Sequence, residues 1–279
     1  MTSLMYSNWT SATGSADWSI RSAHACVVFD NKIVVMGGYD GSAVVDDVWT
    51  SSDGATWNEV IVNVGWSARH DIESVIYNNK IFVMGGTNGG TKFNDVWSTS
   101  DYATWLEVTG AAGWSGRNGH SSVVYDNQIF IMGGWDGTSQ LNDVWSSTDG
   151  STWNLMTGGA GWAARQEHTS VVYDDKIFVM GGYGTSAFND VWSSIDGSTW
   201  MNIGSAIPWI ARHAHASVVY DSKMFVMGGY DDSSRLNDVW SMDKNVKKLS
   251  DSFKTAVQTT WYGGNILFFG VAALKYLKN

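Results

Sequence analysis

The 279-residue chain has one proline and one cysteine. With a single proline it is neither proline-rich nor collagen-like, although it carries 31 glycines. The lone cysteine, Cys26, excludes an internal disulfide and leaves a reducing compartment allowed. Its small side chain on an apolar run reads as a core residue. Charge is also scarce, at 16%, with 17 basic against 27 acidic residues. Too few cations remain to neutralise a phosphate backbone, so nucleic acid is not an expected partner. Hydrophobic content of 44% excludes charge-driven disorder. Residues 1–18 lack the basic and apolar regions of a secretory signal and the arginines of a transit peptide, so neither is expected.

Tryptophan is abundant, with 17 copies against 10 Phe and 11 Tyr. Together with glycine and β-branched residues it points to an all-β chain. The tryptophans are phased. A Gly-Gly pair begins at Gly37, Gly85, Gly133, Gly181 and Gly228, spaced 48, 48, 48 and 47 residues apart. A Val-Trp pair follows each, ending at Trp49, Trp97, Trp145, Trp192 and Trp240. Another Trp falls eight residues later in four units, at Trp57, Trp105, Trp153 and Trp200. A third series is Trp18, Trp66, Trp114, Trp162 and Trp209, each with an arginine three residues on.

Every unit parses into four short strands. In the third they are Ser121–Tyr125, Gln128–Met132, Asp143–Ser146 and Thr152–Met156, separated by turn-prone Asp126-Asn127, a Gly133–Ser139 loop and Asp149-Gly150. Four antiparallel strands in about 48 residues match one propeller blade.

An apolar run, a double glycine and two spaced aromatics resemble the Kelch-repeat β-propeller, within the galactose-oxidase-like superfamily. The resemblance covers residues 3–242 and implies five blades, where the family usually has six or seven. The stretches Ser51–Trp57, Ser147–Trp153 and Ser194–Trp200 also look like the Asp-box hairpin brace of sialidase-type propellers.

The fifth unit has no fourth strand, because Lys248 and Leu249 stand where its Trp should fall. Trp9 lies 48 residues before Trp57, so Tyr6–Thr10 is in phase to complete the last blade. Such a clasp covers an otherwise unpaired edge; pairing with another subunit is the alternative. The expected domains are a propeller over 1–242, a basic linker over 243–254 and a helix over 255–276.

Thr255 to Leu274 is an uncharged run of 20 residues, enough to span a bilayer as a helix. Trp261, Tyr262 and Tyr276 suit the interfaces, Phe268 and Phe269 the apolar core, and Gly263, Gly264 and Gly270 close helix packing. A helix packed on a partner protein is the other reading. A lysine-flanked tail of this kind resembles anchors of mitochondrial outer-membrane proteins, or a small subunit helix of a respiratory or photosynthetic complex. The expectation is a single-pass organelle-membrane protein, mitochondrial or plastid, with the propeller in an aqueous compartment and its tail leaving from the face opposite the double-glycine loops.

The face bearing those loops, here called the top, should collect Arg21, Arg69, Arg117, Arg165 and Arg212 with Tyr39, Trp135, Tyr183 and Tyr230. Arginine and aromatics are typical of partner-binding surfaces. The same arginines could instead stack on tryptophan and tie blade to blade. His24, His120, His168 and His215 recur in phase, which repeat descent explains better than a metal ring. Catalysis of the galactose-oxidase type needs copper and a Cys–Tyr link, and a sialidase needs a Tyr–Glu pair. The glutamates are only Glu59, Glu73, Glu107 and Glu167, and no such set is visible. Ile72-Glu73 and Arg165-Gln166-Glu167 are the local irregularities. The expected function is a non-catalytic scaffold module without metal or cofactor, an accessory subunit contacting protein subunits and lipid. The rival is an enzyme or carbohydrate-binding protein of the two propeller types named.

Overall fold

A computed structural model of the chain describes residues 10–60, 64–204 and 207–244. The first blade holds β1 (Ala25–Phe29), β2 (Lys32–Tyr39), β3 (Val44–Ser51) and β4 (Asn58–Glu59). The second holds β5 (Glu73–Tyr77), β6 (Lys80–Met84), β7 (Val96–Thr99) and β8 (Leu106–Thr109). The third holds β9 (Ser121–Tyr125), β10 (Gln128–Trp135), β11 (Gln140–Ser147) and β12 (Asn154–Thr157). The fourth holds β13 (Thr169–Tyr173), β14 (Lys176–Met180), β15 (Val191–Ser194) and β16 (Met201–Gly204). The fifth holds β17 (Ala216–Tyr220), β18 (Lys223–Met227) and β19 (Val239–Asp243). Each blade is an antiparallel meander in sequence order, four-stranded in the first four and three-stranded among the described residues of the fifth. The described residues therefore form an all-β, five-bladed propeller.

The first two strands of every blade meet at two residues with positive φ, such as Asp126 (45°) and Asn127 (54°). Two left-handed residues make the turn that matches strand twist, and Asp and Asn tolerate that conformation. A second brace, an aspartate accepting from the backbone N–H groups that follow it, closes the outer hairpin of each of the first four blades. In the third blade Gly150 N donates to Ser147 Oγ (2.7 Å), Ser151 N and Thr152 N donate to Asp149 Oδ1, and Trp153 Nε1 donates to Gly150 O.

The core is a series of seams between blades. The inner strands pack in succession, β1 on β5, β5 on β9, β9 on β13 and β13 on β17. Each seam buries one face of a blade, for example Val123, Phe130, Met132 and Val144, against Ile177 and Val179 of the next, with a linker Trp between. Strand alternation decides which residues enter. Ala25 is buried against blade two, and Cys26 beside it is exposed on the opposite face of β1, which the described residues leave uncovered, where a core residue was expected.

The far face of blade five is bare. Val75, Val123 and Val171 are 7–8% exposed, and their counterpart Val218 is 45% exposed. Tyr77 and Tyr173 are buried where Tyr220 is 71% exposed, and Val48, Val96 and Val144 are at 0% where Val239 is at 62%. Among the described residues no contact like those of the other seams joins β17 to β1. Of the expected closing strand Tyr6–Thr10 only Thr10 is described, outside any strand. The expected helix over 255–276, with Trp261, Tyr262, Gly263, Gly264, Phe268, Phe269, Gly270 and Tyr276, lies outside the described residues. Among the described residues no helix is long and apolar enough to cross a membrane. Met1–Met242 form one unit and Asp243–Asn279 a second.

Candidate interaction face

Each second strand rises to the top, so the loops after Gly-Gly gather there with the linkers that carry the third Trp series. The linker arginines do not face outward. Arg69, Arg117, Arg165 and Arg212 are 0% exposed, and the Arg21 side chain is equally buried. Each guanidinium grips one aspartate with two bonds of 2.5–2.8 Å: Arg21 on Asp47, Arg69 on Asp95, Arg117 on Asp143, Arg165 on Asp190 and Arg212 on Asp238. Nη1 also donates to the first carbonyl of the double glycine, as Arg117 does to Gly133 O at 2.8 Å. The aspartate accepts from the indole two residues on, as Asp143 does from Trp145 Nε1 at 2.7 Å. Each guanidinium lies 5.2–5.8 Å from the ring of its linker Trp.

The arginine backbone ties the seam. The second glycine of one blade donates to the arginine carbonyl of the next: Gly38 to Arg69, Gly86 to Arg117, Gly134 to Arg165 and Gly182 to Arg212, at 2.8–2.9 Å. A guanidinium buried in this way, with at least four of its five N–H groups bonded, is not presented to a partner. The arginine series is thus a structural tether here, and the expected arginine surface is corrected to a buried ladder.

Aromatic side chains do reach the surface. Tyr39 is 40% exposed, and Trp135, Tyr183 and Tyr230 are half-buried. Lys92 Nζ stands 4.8 Å from the Trp135 ring centre. Those two residues with Gly89, Ser115, Asp136 and Thr138 line an open cleft of about 490 Å³. On blades four and five the His213 ring lies between Tyr183 (5.1 Å) and Tyr230 (5.4 Å). Its Nδ1 is 2.6 Å from Glu167 Oε2 and its Nε2 is 3.3 Å from Asp232 Oδ1. On blades one and two, His70 sits 6.3 Å from Tyr39 and 3.1 Å from Asp71 Oδ2. Asp71 and Glu167 hold positive φ because their backbone N–H groups reach the preceding blade, at Ala23 O (2.9 Å) and Gly119 O (2.7 Å). The top thus alternates aromatic rings with carboxylates.

Sequence reasoning placed the aromatics on this face but missed His70, Asp71, Lys92, His213 and Asp232. A signal was available. The tether positions repeat without change, whereas the residue after each arginine varies: Ser22, His70, Asn118, Gln166, His213. Constancy marks the shared scaffold, and variation marks what the scaffold presents.

The phased histidines are packing residues. His120, His168 and His215 are buried, each 6.0–6.5 Å from a linker Trp. Burial first, then the neighbouring arginine, pushes His120 and His215 down to about 3 and His168 well below its usual range, so the rings are neutral. Among the described residues no three His, Cys, Asp or Glu converge as metal ligands.

No curated protein matches the chain. The family model described as the KLHDC2/KLHL20/DRC7 Kelch-repeats domain matches residues 23–208, and the Kelch motif matches residues 211–247. The five phased units, their buried Arg–Asp tethers and these matches place the chain in the Kelch-repeat family.

Proposed function

We propose that the chain is a non-catalytic protein-interaction module that presents its top face to a partner. The observation that carries this reading is the division of labour just described. Invariant arginines are used up inside, while variable aromatic and acidic side chains at the same end stay accessible. Exposed aromatics supply most of the energy in protein recognition, and an acidic rim favours a basic partner segment. Kelch repeats generally serve protein interaction, in agreement with this use.

Two further elements belong to the proposal. The run 255–274 holds the propeller at a membrane as an accessory subunit of a larger assembly, mitochondrial or plastid, supported by its length, lack of charge and flanking Trp261, Tyr262 and Tyr276. Residues 6–10 complete the last blade, so that 1–242 is one propeller followed by a basic linker.

The test captures partners from a detergent extract with the full chain and with the Tyr39→Ala/Trp135→Ala/Tyr230→Ala variant. Partner recovery should fall at least tenfold while the circular dichroism spectrum is unchanged. Undiminished capture by a folded variant would remove the top face from the account. In carbonate extraction the full chain should stay with the membrane pellet and a chain ending at Met242 should not.

A further inference from the structure

Two of the four described seams lack a hydroxyl–histidine pair that the other two share, and one of these has an acidic residue in its place. The inner strands begin with Ala25, Glu73, Ser121, Thr169 and Ala216. Where that residue is a hydroxyl, it meets the histidine of the next blade: Ser121 Oγ lies 2.9 Å from His168 Nε2, and Thr169 Oγ1 lies 2.9 Å from His215 Nε2. Between blades two and three the hydroxyl is replaced by Glu73. Its Oε2 turns to Ser122, whose Oγ donates to it at 2.8 Å. His120, the counterpart of His168 and His215, is 2% exposed, and among the described residues neither ring nitrogen has a hydrogen-bond partner. Asn118 Oδ1 is also buried without a partner among the described residues, while Asn118 Nδ2 donates to Asp71 Oδ2 at 3.2 Å.

The top of this seam therefore gathers acceptors. Asp71 and Glu73 stand on its blade-two side and Asn118 and neutral His120 on its blade-three side, with Asn118 bonded to Asp71 and Ser122 to Glu73. Of the charged or titratable groups beside them, Arg117 is spent on Asp143 and His70 stands against Asp71 Oδ2. The two carboxyl groups, Asn118 Oδ1 and the one unprotonated nitrogen of His120 would each be met by a group with several N–H donors and no acceptor, which describes an ammonium or a guanidinium.

We propose that the seam between blades two and three is a pocket for one cationic side chain, lysine or arginine, of the segment docked on the top face. This rests on the reading of that face as a docking surface. Burial, opposed by the Ser122 bonds and aided by Asp71, raises the Glu73 carboxyl to about 7. A bound cation ionises it, so affinity rises as pH increases through that value.

The test uses the full chain labelled with ¹³C in its glutamate carboxyl groups. The probes are acetyl-Gly-Arg-Gly-amide and its lysine analogue, with acetyl-Gly-Glu-Gly-amide and acetyl-triglycine-amide as controls. Both cationic probes should bind with millimolar Kd, the order of a single charged contact, and lower the Glu73 titration midpoint by more than one pH unit. The controls should do neither. Glu73→Ser restores the hydroxyl of the other seams. It should weaken the cationic probes at least tenfold and raise the melting temperature, more at pH 8 than at pH 5. An unmoved Glu73 titration, or equal probe binding by Glu73→Ser, overturns the pocket. If Glu73→Ser retains partner capture that the Tyr39/Trp135/Tyr230 variant loses, the docking face stands and the pocket fails. If the probes still titrate Glu73 while that triple variant keeps its partner, the pocket stands and the docking face fails.

Discussion

The Arg–Asp–Trp unit repeated five times is the most consequential residue-scale feature. Each arginine side chain is fully buried, and its aspartate is largely buried in the first four blades, 18% exposed in Asp143. Removing one partner strands a charge inside the protein, which costs about 3–5 kcal/mol. Arg117→Ala should therefore lower the urea-unfolding free energy by about that amount, and a change below 1 kcal/mol would show the pair to be dispensable. The effect has a pH signature. Burial works to raise the Asp143 carboxyl, and the bonds from Arg117 more than reverse this, leaving it below the usual carboxylate range. A lowered carboxylate stabilises above its unfolded value and loses that contribution as pH falls through its folded one. The gap between wild type and Arg117→Ala should thus narrow below about pH 4. The recurrence of arginine was plain in the sequence, but its role was not. Its partners lie 16 and 26 residues away, and only the folded seam shows that they enclose it. Cys26 faces the other way from Ala25, toward the seam that a closed ring would form with blade five, and an apolar neighbourhood in sequence does not say which side of a strand is covered.

At the scale of the element, turns fix the blades. Gly150 has φ +79°, and a Cβ there would stand 2.6 Å from Phe82 Cε1 of the preceding blade. Gly41 has φ +96° with nothing within 4 Å of its would-be Cβ. Gly41→Ala meets the backbone penalty alone, about 1 kcal/mol. Gly150→Ala adds overpacking of the seam and should cost about 2–4 kcal/mol. Equal losses in thermal melts of the two variants would contradict the packing argument. Strand order, the Asp126-Asn127 turn and the outer hairpins were legible in the sequence, because turn chemistry is local. Strand ends were less so. The expected second strand of blade three stopped at Met132, whereas β10 passes through a register shift after Met132 and continues to Trp135. An irregular pairing that survives a double glycine leaves no periodic mark. Among the site residues, Tyr39, Trp135, Tyr183 and Tyr230 could be placed by phase alone, since strand direction sends them to one end. His213 between Glu167 and Asp232 could not, because it joins three segments from two blades.

For the whole molecule, counting repeats gives five blades, and the account requires them to form a closed ring. The four described seams share one pattern, and blade one already carries its half of a fifth. Trp18 lies 5.5 Å from Trp57, as the other linker tryptophans lie 5.9–6.0 Å from theirs, and Arg21 grips Asp47. The other half is the bare face of blade five at Val218, Tyr220 and Val239. In the first four blades the residue after the third-strand Trp pairs with the residue after the fourth-strand Trp: Thr50 with Asn58, Ser98 with Leu106, Ser146 with Asn154 and Ser193 with Met201. The same register pairs Ser241 with Thr10. The most direct test is a disulfide between Thr10→Cys and Ser241→Cys in a chain carrying Cys26→Ser. A ring closed by its own first strand predicts that the bond forms under mild oxidation in a monomer and raises the melting temperature. A pair of thiols that stays reduced, or a bond found only between two chains, would contradict it.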